Sequence, residues 1–296
     1  MKINNEWTDY QIIATGDGEK LERWKDVILL RPDPQVIWHA TKPLHTVAKP
    51  SARYIRSSSG GGHWEFDRKL PDSWIVGWRN LKFSVRPMNF KHTGLFPEQA
   101  VNWATMIDLI KSANRPISVL NLFAYTGGAT VACLSAGASV CHVDAAKNMV
   151  EMAKNNVALS GLSDKPVRYI VDDCRKFVQR EIRRGNRYDA IILDPPSFGR
   201  GASGEEWKIE RDIFDFLKLC NEVLSDKPLF VLLNSYTTGL QPAVLSNLLS
   251  LTIKRGGQVS AYEVCLPTDE GTVLPCGASG LYVCTDAQVN KGANNE

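Results

Sequence analysis

The sequence predicts an α/β protein, a doubly wound and mainly parallel sheet of seven strands whose last strand is antiparallel, preceded by a small β-rich module. Three observations predict it. From Pro116 onward, short apolar, β-branched runs alternate with helical stretches at the spacing of βαβ units. The last two strand-like runs, Gln258 to Cys265 and Gly280 to Cys284, are joined by Pro267 to Ala278 without a helix, so they are expected to pair antiparallel. Residues 1–90 differ in texture, with short strand-like runs separated by turn signals.

In that module, Tyr10 to Ala14, Val27 to Arg31, Val36 to His39, His63 to Asp67 and Leu81 to Arg86 read as strands of an antiparallel sheet. Gly16-Asp17-Gly18, Arg31-Pro32-Asp33-Pro34 and the loop from Ser57 to Gly62 separate them. A helix then starts near Phe96, with Pro97 in its first turn and Glu98 favourable to the helix dipole, and runs to Ser112. Ile117 to Leu122 reads as a strand buried on both faces. It breaks into Ala124-Tyr125-Thr126-Gly127-Gly128, followed by a small-residue helix, Ala129 to Ala136, that Gly137 stops. A strand from Ser139 to Val143 ends on Asp144. Helices are expected over Lys147 to Ser160, Arg175 to Arg184, Glu205 to Leu224 and Leu240 to Ile253. Strands are expected over Val167 to Val171, Tyr188 to Leu193 and Leu229 to Leu233, and the tail after Asp286 is expected to fray.

At 296 residues, with 44% hydrophobic and 23% charged residues, the chain has the length and composition of a globular protein of one large or two ordinary domains. No apolar run reaches the ~18 residues of a membrane span, and the start, MKINNEWTDYQ, lacks the apolar core of a secretory signal. The seven cysteines are scattered without a CxxC pair, which reads as reduced, buried thiols and a cytoplasmic protein. The five histidines show no metal-ligand spacing. The net charge of +3 selects no partner by itself. Between Lys49 and His92, however, nine Lys or Arg stand against three acids (Glu65, Asp67, Asp72), interleaved with Tyr54, Trp64, Phe66, Trp74, Trp78, Phe83 and Phe90. Cations neutralise phosphates and aromatic rings stack on unpaired bases, so this mixture suits RNA, although a small β-module with an aromatic core and solvated charges would read the same.

The strand, glycine turn, helix, strand and acid from Pro116 to Asp144 form a βαβ unit suited to a nucleotide-like ligand. The glycines allow close approach of backbone to the ligand, or simply of helix to strand, and Asp144 can accept from both ribose hydroxyls. The turn is neither GxGxxG nor a phosphate loop, since no Lys follows the glycines. A ligand with ribose and adenine but no phosphate fits better, and S-adenosylmethionine is such a ligand. Further along, Asp173 can accept from an adenine amine, with the backbone of Cys174 reading a ring nitrogen and Asp172 as the alternative; either acid is equally expected as a helix N-cap. Asp194-Pro195-Pro196-Ser197-Phe198 is a stiff, extended turn after a buried strand. It offers a carboxylate and carbonyls to a planar amine, with Phe198 available to stack on a base.

VLNLFAYTGGATVACLSAGA, VDAAKNMVEMAKNN, VDDCRKF and ILDPPSFGRG, in this order, resemble class I S-adenosylmethionine-dependent methyltransferases, a Rossmann-like fold. They are most similar to the bacterial family that includes large-subunit ribosomal RNA methyltransferases. Thr93-Gly94-Leu95-Phe96-Pro97-Glu98-Gln99 is similar to that family's lead-in to the donor. The resemblance covers roughly residues 85–285. It implies donor contacts from Phe96, Gln99, the turn Ala124, Tyr125, Thr126, Gly127 and Gly128, Asp144 with its neighbour Ala145, Asp173 and Asp194. Asn121 stands where many such enzymes carry an acid toward the donor's ammonium group. Cytosine-5 enzymes need an attacking cysteine after the fourth or fifth strand, whereas those loops here read Asp194-Pro195-Pro196-Ser197 and Leu233-Asn234-Ser235-Tyr236. A nitrogen acceptor is therefore expected, with Asp194 and the Pro195 carbonyl receiving the amine's hydrogen bonds and Phe198 holding the base. The expected organisation is a substrate-binding module over 1–90 and a methyltransferase domain over 91–290 acting on RNA, ribosomal RNA being favoured. The alternatives are a methyltransferase of a small molecule or protein side chain, and a non-catalytic RNA-binding protein that retains the fold.

Overall fold

The computed structural model describes residues 1–57, 60–200, 204 and 206–285. Ser58 and Ser59 of the expected loop, the end of the Gly201 segment, Glu205 and the tail after Thr285 lie outside the described residues. The fold divides into two compact units, Met1–Val101 with Val264–Cys276, and Asn102–Glu263 with the segment from Gly277.

In the first unit, β1 (Lys2–Ile3) runs parallel to Val264 and Cys265. A five-stranded sheet follows: β2 (Tyr10–Gly16), β3 (Glu19–Trp24), β4 (Val27–Pro32), β5 (Ala52–Arg56) and β6 (Gly62–Phe66), side by side in that order. The short helix α1 (Leu44–Val47) lies between β4 and β5 in the chain, and β7 (Trp74–Trp78) and β8 (Leu81–Val85) form a separate hairpin. The module is antiparallel as expected except that β4 and β5 run parallel. Val36 to His39 is not a strand. Val36 and Trp38 instead give their carbonyls to Gly18 and Asp17 at the β2–β3 turn, because Pro34 begins a turn that keeps this segment off the ladder. The β3 strand went unread because charges interrupt it, and one of them is buried by design of its neighbours. The Glu22 carboxylate is fully buried, bonded by Arg31 and by the Tyr10 hydroxyl at 2.9 Å. Burial alone would raise its pKa, but Arg31 and Lys20 hold the carboxyl below its usual value.

The second unit carries the large sheet. Helix α2 (Ala100–Ser112), entered through a single 3₁₀ turn at Pro97–Gln99, leads to β9 (Ser118–Leu122). Then come α3 (Gly128–Ser135), β10 (Ser139–Asp144), α4 (Lys147–Leu159), β11 (Val167–Val171), α5 (Cys174–Arg184) and β12 (Ala190–Leu193). A small hairpin of β13 (Phe198–Arg200) and β14 (Glu206–Lys208) precedes α6 (Ile209–Glu222). The chain continues through β15 (Phe230–Ser235), α7 (Pro242–Thr252), β16 (Gly257–Pro267) and β17 (Val273–Cys284). The sheet has eight strands in the order β1-β16-β17-β15-β12-β9-β10-β11, one more than the seven expected because β1 adds to the β16 edge. The pairs β9–β10, β10–β11, β9–β12 and β12–β15 are parallel, and β17 runs antiparallel to β15. This is the fold class the sequence predicts. Apolar strands and the inner faces of α5, α6 and α7 make one core, in which Leu120, Ile191, Leu233, Phe177, Phe216 and Leu245 are all fully buried.

Gly128 begins α3 where a Cβ would stand 2.6 Å from a ring carbon of Trp103, itself buried at 3% exposure. A ring locked in the core does not give way cheaply. Gly128→Ala is expected to lose about 1–3 kcal/mol of stability by overpacking, read as a lower midpoint in thermal or urea unfolding; an unchanged midpoint would show that the ring yields. In the first unit, Glu22→Ala leaves Arg31 buried without its counter-ion. A loss of about 3–5 kcal/mol is expected, and a loss below ~1 kcal/mol in the same measurement would place the pair among the weak, solvated ones.

Candidate functional site

The sheet reverses direction of growth at β9, which pairs with β10 on one side and β12 on the other. In an open parallel sheet, ligands gather at the carboxyl ends of the strands at such a reversal. Leu122, Asp144, Val171, Leu193 and Ser235 close the strands at that edge.

The turn after β9 is held in an unusual backbone. Phe123, Tyr125 and Gly127 all adopt left-handed φ, at 55°, 50° and 82°, and a non-glycine residue in that region costs on the order of 1–2 kcal/mol. Specific bonds hold it there. The Tyr125 N–H donates to Asp144 Oδ2 at 2.8 Å, and the Phe123 N–H donates to Cys174 Sγ at 3.3 Å. Ala124 N–H reaches the Val143 carbonyl at 3.1 Å, and Asn156 Nδ2 holds the Thr126 carbonyl at 2.9 Å. The turn is thus fastened to β10, α4 and α5. Its glycines answer to the protein itself: a Cβ on Gly127 would meet the Ala153 Cβ at 2.8 Å, as one on Gly128 would meet Trp103. The geometry displays close packing within the protein, with the nearest neighbours on helices α4 and α2 rather than on a strand.

Asp144 Oδ1 accepts the Ala146 N–H at 2.8 Å, so each carboxylate oxygen spends one lone pair on backbone and keeps acceptor capacity. Burial raises the Asp144 pKa, and these two N–H bonds offset part of that rise. A half-buried carboxylate at the strand end suits hydroxyl donors such as a ribose diol and a ligand bearing positive charge; it would repel a phosphate. The donor set therefore fits S-adenosylmethionine. Ala145, next to it, is exposed.

The remaining predicted residues fall as follows. Asp173 is the N-cap of α5, its Oδ1 accepting the Lys176 N–H at 2.9 Å, while Oδ2 has no protein partner among the described residues. Asp172 is ion-paired with Arg180 and also accepts the Asp173 N–H at 2.9 Å, so Arg180 occupies the alternative acid. Cys174 is buried in the first turn of α5, where backbone N–H groups have no intrahelical acceptor. Asn121 is 2% exposed, and its amide donates to Thr130 Oγ1 at 2.9 Å, which in turn bonds His142 Nδ1 at 2.9 Å. Its side chain is thereby turned into the βαβ unit rather than past the strand end. Asp194 and Pro195 follow β12, with the Asp194 N–H on the Leu122 carbonyl at 3.4 Å. Pro196 is tied to the β13–β14 hairpin, its carbonyl accepting Trp207 Nε1–H at 2.7 Å, and Phe198 stands 48% exposed on that hairpin. The hairpin was illegible because its strands are only three residues long. Phe96 and Gln99 belong to the first unit, half-buried and buried.

Burial makes Cys133, Cys141 and Cys174 poor nucleophiles. Six of the seven cysteines are buried, and burial pushes Cys141 up to about 11, Cys133 up to about 12 and Cys174 well above the usual range. Among the described residues no cluster of His, Cys, Asp and Glu is arranged to hold a metal ion, and no helix is long and apolar enough to cross a membrane.

A family model described as S-adenosylmethionine-dependent methyltransferase matches residues 26–239. The crystal structure of an S-adenosylmethionine-dependent methyltransferase from Agrobacterium tumefaciens is 35% identical, with a TM-score of 0.89 over 95% of this chain and 92% of that one. A methyltransferase from Streptococcus mutans shares the fold at 17% identity, with a TM-score of 0.72 over 95% of this chain and 76% of that one. Ribosomal RNA large subunit methyltransferase K/L of Shewanella frigidimarina is 35% identical over 138 residues, 46% of this chain and 18% of that protein. Its counterpart in Colwellia psychrerythraea is 26% identical over 62% of this chain and 25% of its own length, so the chain spans only a quarter or less of these relatives. The sheet, its acid-closed second strand and the matched residues agree: the chain belongs to the S-adenosylmethionine-dependent methyltransferase family.

Proposed function

We propose that this enzyme methylates a nitrogen of an RNA base, ribosomal RNA being favoured, with residues 1–90 binding substrate and 91–290 carrying the reaction in the cytoplasm. The observation that carries the reading is the Asp194-Pro195 turn: a half-buried carboxylate at the end of β12, stiffened by two prolines and pinned through Pro196 to Trp207. The names of the curated relatives support RNA as substrate.

S-adenosylmethionine, when bound, supplies an electrophilic methyl group. Asp144 then holds the ribose hydroxyls, with Ala145 and the turn from Ala124 to Gly128 alongside, and Asp173 with the Cys174 amide reads the adenine edge. Asn121 bonds Thr130 in the first turn of α3. The substrate's amine is oriented by Asp194 and the Pro195 carbonyl, and Phe198 lies against the base. Nitrogen has its own lone pair, so alignment and a hydrogen-bond acceptor suffice. A carbon acceptor would require a thiolate, which the buried, high-pKa cysteines do not supply.

Titration calorimetry with S-adenosylhomocysteine is expected to show binding that Asp144→Ala weakens at least about tenfold, since a hydrogen bond to a charged group is worth ~1.5–3 kcal/mol. Tritium-methyl transfer to ribosomal RNA from cells lacking the gene is expected to fall roughly 100-fold in Asp194→Ala. Full transfer by that variant would remove Asp194 from the reaction, and no transfer by the intact protein would remove RNA. Because the folded-state pKa of Asp144 is raised by burial, donor affinity is expected to fall on acidification at a pH above the usual aspartate value of 3.8. Calorimetry from neutral pH down to about pH 4 reads this directly, and affinity undiminished across that range would contradict it.

A further inference from the structure

The aromatic and basic residues of the first unit are sorted by the sheet into two chemically different faces. Tyr54 pairs with Trp64, Ala52 with Phe66 and Arg56 with Gly62 across β5 and β6. Side chains alternate between faces along a strand, so Tyr54, Arg56, Trp64 and Phe66 share one face. Arg53, Ile55, His63, Glu65 and Asp67 share the other. The second face is electrostatically self-contained: Arg53 pairs with Asp67 at 3.1 Å, and His63 lies 3.7 Å from Glu65. The first face holds no acid at all on these two strands.

That face is also partly open. Tyr54 is buried and packs edge-on against Trp64 at 5.4 Å, but Phe66 is 54% exposed. Trp64 Nε1–H donates to the carbonyls of Met88 at 2.8 Å and Phe90 at 3.1 Å, bringing the 88–91 segment to the same ring. Phe90 there is 64% exposed. Next to it, Lys91 is half-buried, its Nζ 3.4 Å from the Pro32 carbonyl. Burial brings Lys91 down to about 8, with Arg56, Arg31 and Lys20 acting in the same direction against Asp33. Lys91 and exposed Arg56 are thus electrostatic neighbours, and neither has a carboxylate within ion-pair distance among the described residues. The strand that presents this surface, β6, is the last of its sheet.

We infer that this face, built from Trp64, Phe66, Phe90, Arg56 and Lys91, is the docking surface for a single-stranded segment of the RNA substrate. The inference rests on the RNA reading above and specifies where the RNA is gripped. Exposed rings offer stacking planes to unpaired bases without regard to sequence, and the two cations neutralise the adjoining phosphates. A protein partner would meet the same rings but would find no counterpart for the two uncompensated cations unless it were acidic.

The test uses the full chain, with Phe66→Ala/Phe90→Ala and Arg56→Gln variants, whose side chains are exposed. The probe is a fluorescein-labelled, mixed-sequence oligoribonucleotide of about 12 nucleotides. Anisotropy is expected to show the double variant binding at least about tenfold more weakly. Arg56→Gln is expected to reduce the slope of log affinity against log salt by about 0.7. S-adenosylhomocysteine affinity is expected to match the unsubstituted protein, showing that the variants are folded. Oligoribonucleotide affinity unchanged in the double variant would overturn the inference. So would methylation of ribosomal RNA by a protein that does not bind the probe, and in both cases the RNA reading stands. Neither probe binding nor RNA methylation by a protein that binds S-adenosylhomocysteine would overturn both.

Discussion

The bond from the Tyr125 amide to Asp144 is the interaction on which the rest of the site depends. The turn after β9 alternates left-handed residues, and two of them, Phe123 and Tyr125, are not glycine. Such a backbone persists only where the surroundings over-determine it. Here they do, through one carboxylate oxygen, one thiol and one amide side chain, each from a different element. Asp144 is consequently a strut of the turn and, in the proposed reading, a ligand group as well. It cannot be moved to improve one role without disturbing the other, which explains why the second strand ends on an acid even though burial disfavours its charge.

Much of this was legible in the sequence, for a physical reason. Strands buried on both faces, as β9, β10 and β12 are, leave continuous apolar runs, and the acids that close them stand out against those runs. The elements that escaped reading are those whose burial is one-sided or partnered. In β3, Glu19 to Trp24, a buried Glu22 sits where an apolar residue would mark the inner face, because Arg31 and Tyr10 satisfy it from the neighbouring strands. The partner is distant in sequence, so local pattern cannot reveal it. Val36 to His39 failed in the opposite way, having strand-like residues whose hydrogen bonds go to a turn. The same limit applies to Asp172 and Asp173, which are neighbours in sequence. Only the Arg180 pairing separates them, leaving Asp173 Oδ2 as the acceptor without a protein partner among the described residues.

The glycine turn shows how a correct motif can rest on an incomplete reason. Glycine is required at 127 by a left-handed φ and by Ala153, and at 128 by the Trp103 ring. These are demands of α3 packing against α4 and α2. A glycine-rich turn is commonly taken to mean that a ligand lies against backbone, yet here the missing side chains make room for protein. In the proposed reading, ligand specificity comes instead from the charge of the acids at 144, 173 and 194, which would disfavour a phosphate and favour a cationic nucleoside.

The proposed choice of a nitrogen acceptor rests on where the thiols are. A cysteine can activate a base carbon only as a thiolate within reach of the ring, and thiolates persist near cations or in contact with solvent. In this chain the thiols of Cys133, Cys141, Cys174 and Cys220 lie in strands and helix faces of the core, where burial raises every one of them. Cys174 even serves as an acceptor for the Phe123 amide, a structural task that a nucleophile in turnover could not keep. A site that offers carboxylate and carbonyl acceptors, and holds its sulfur in the scaffold, is suited to an acceptor that already owns its lone pair. That is the property that distinguishes a base nitrogen from a base carbon.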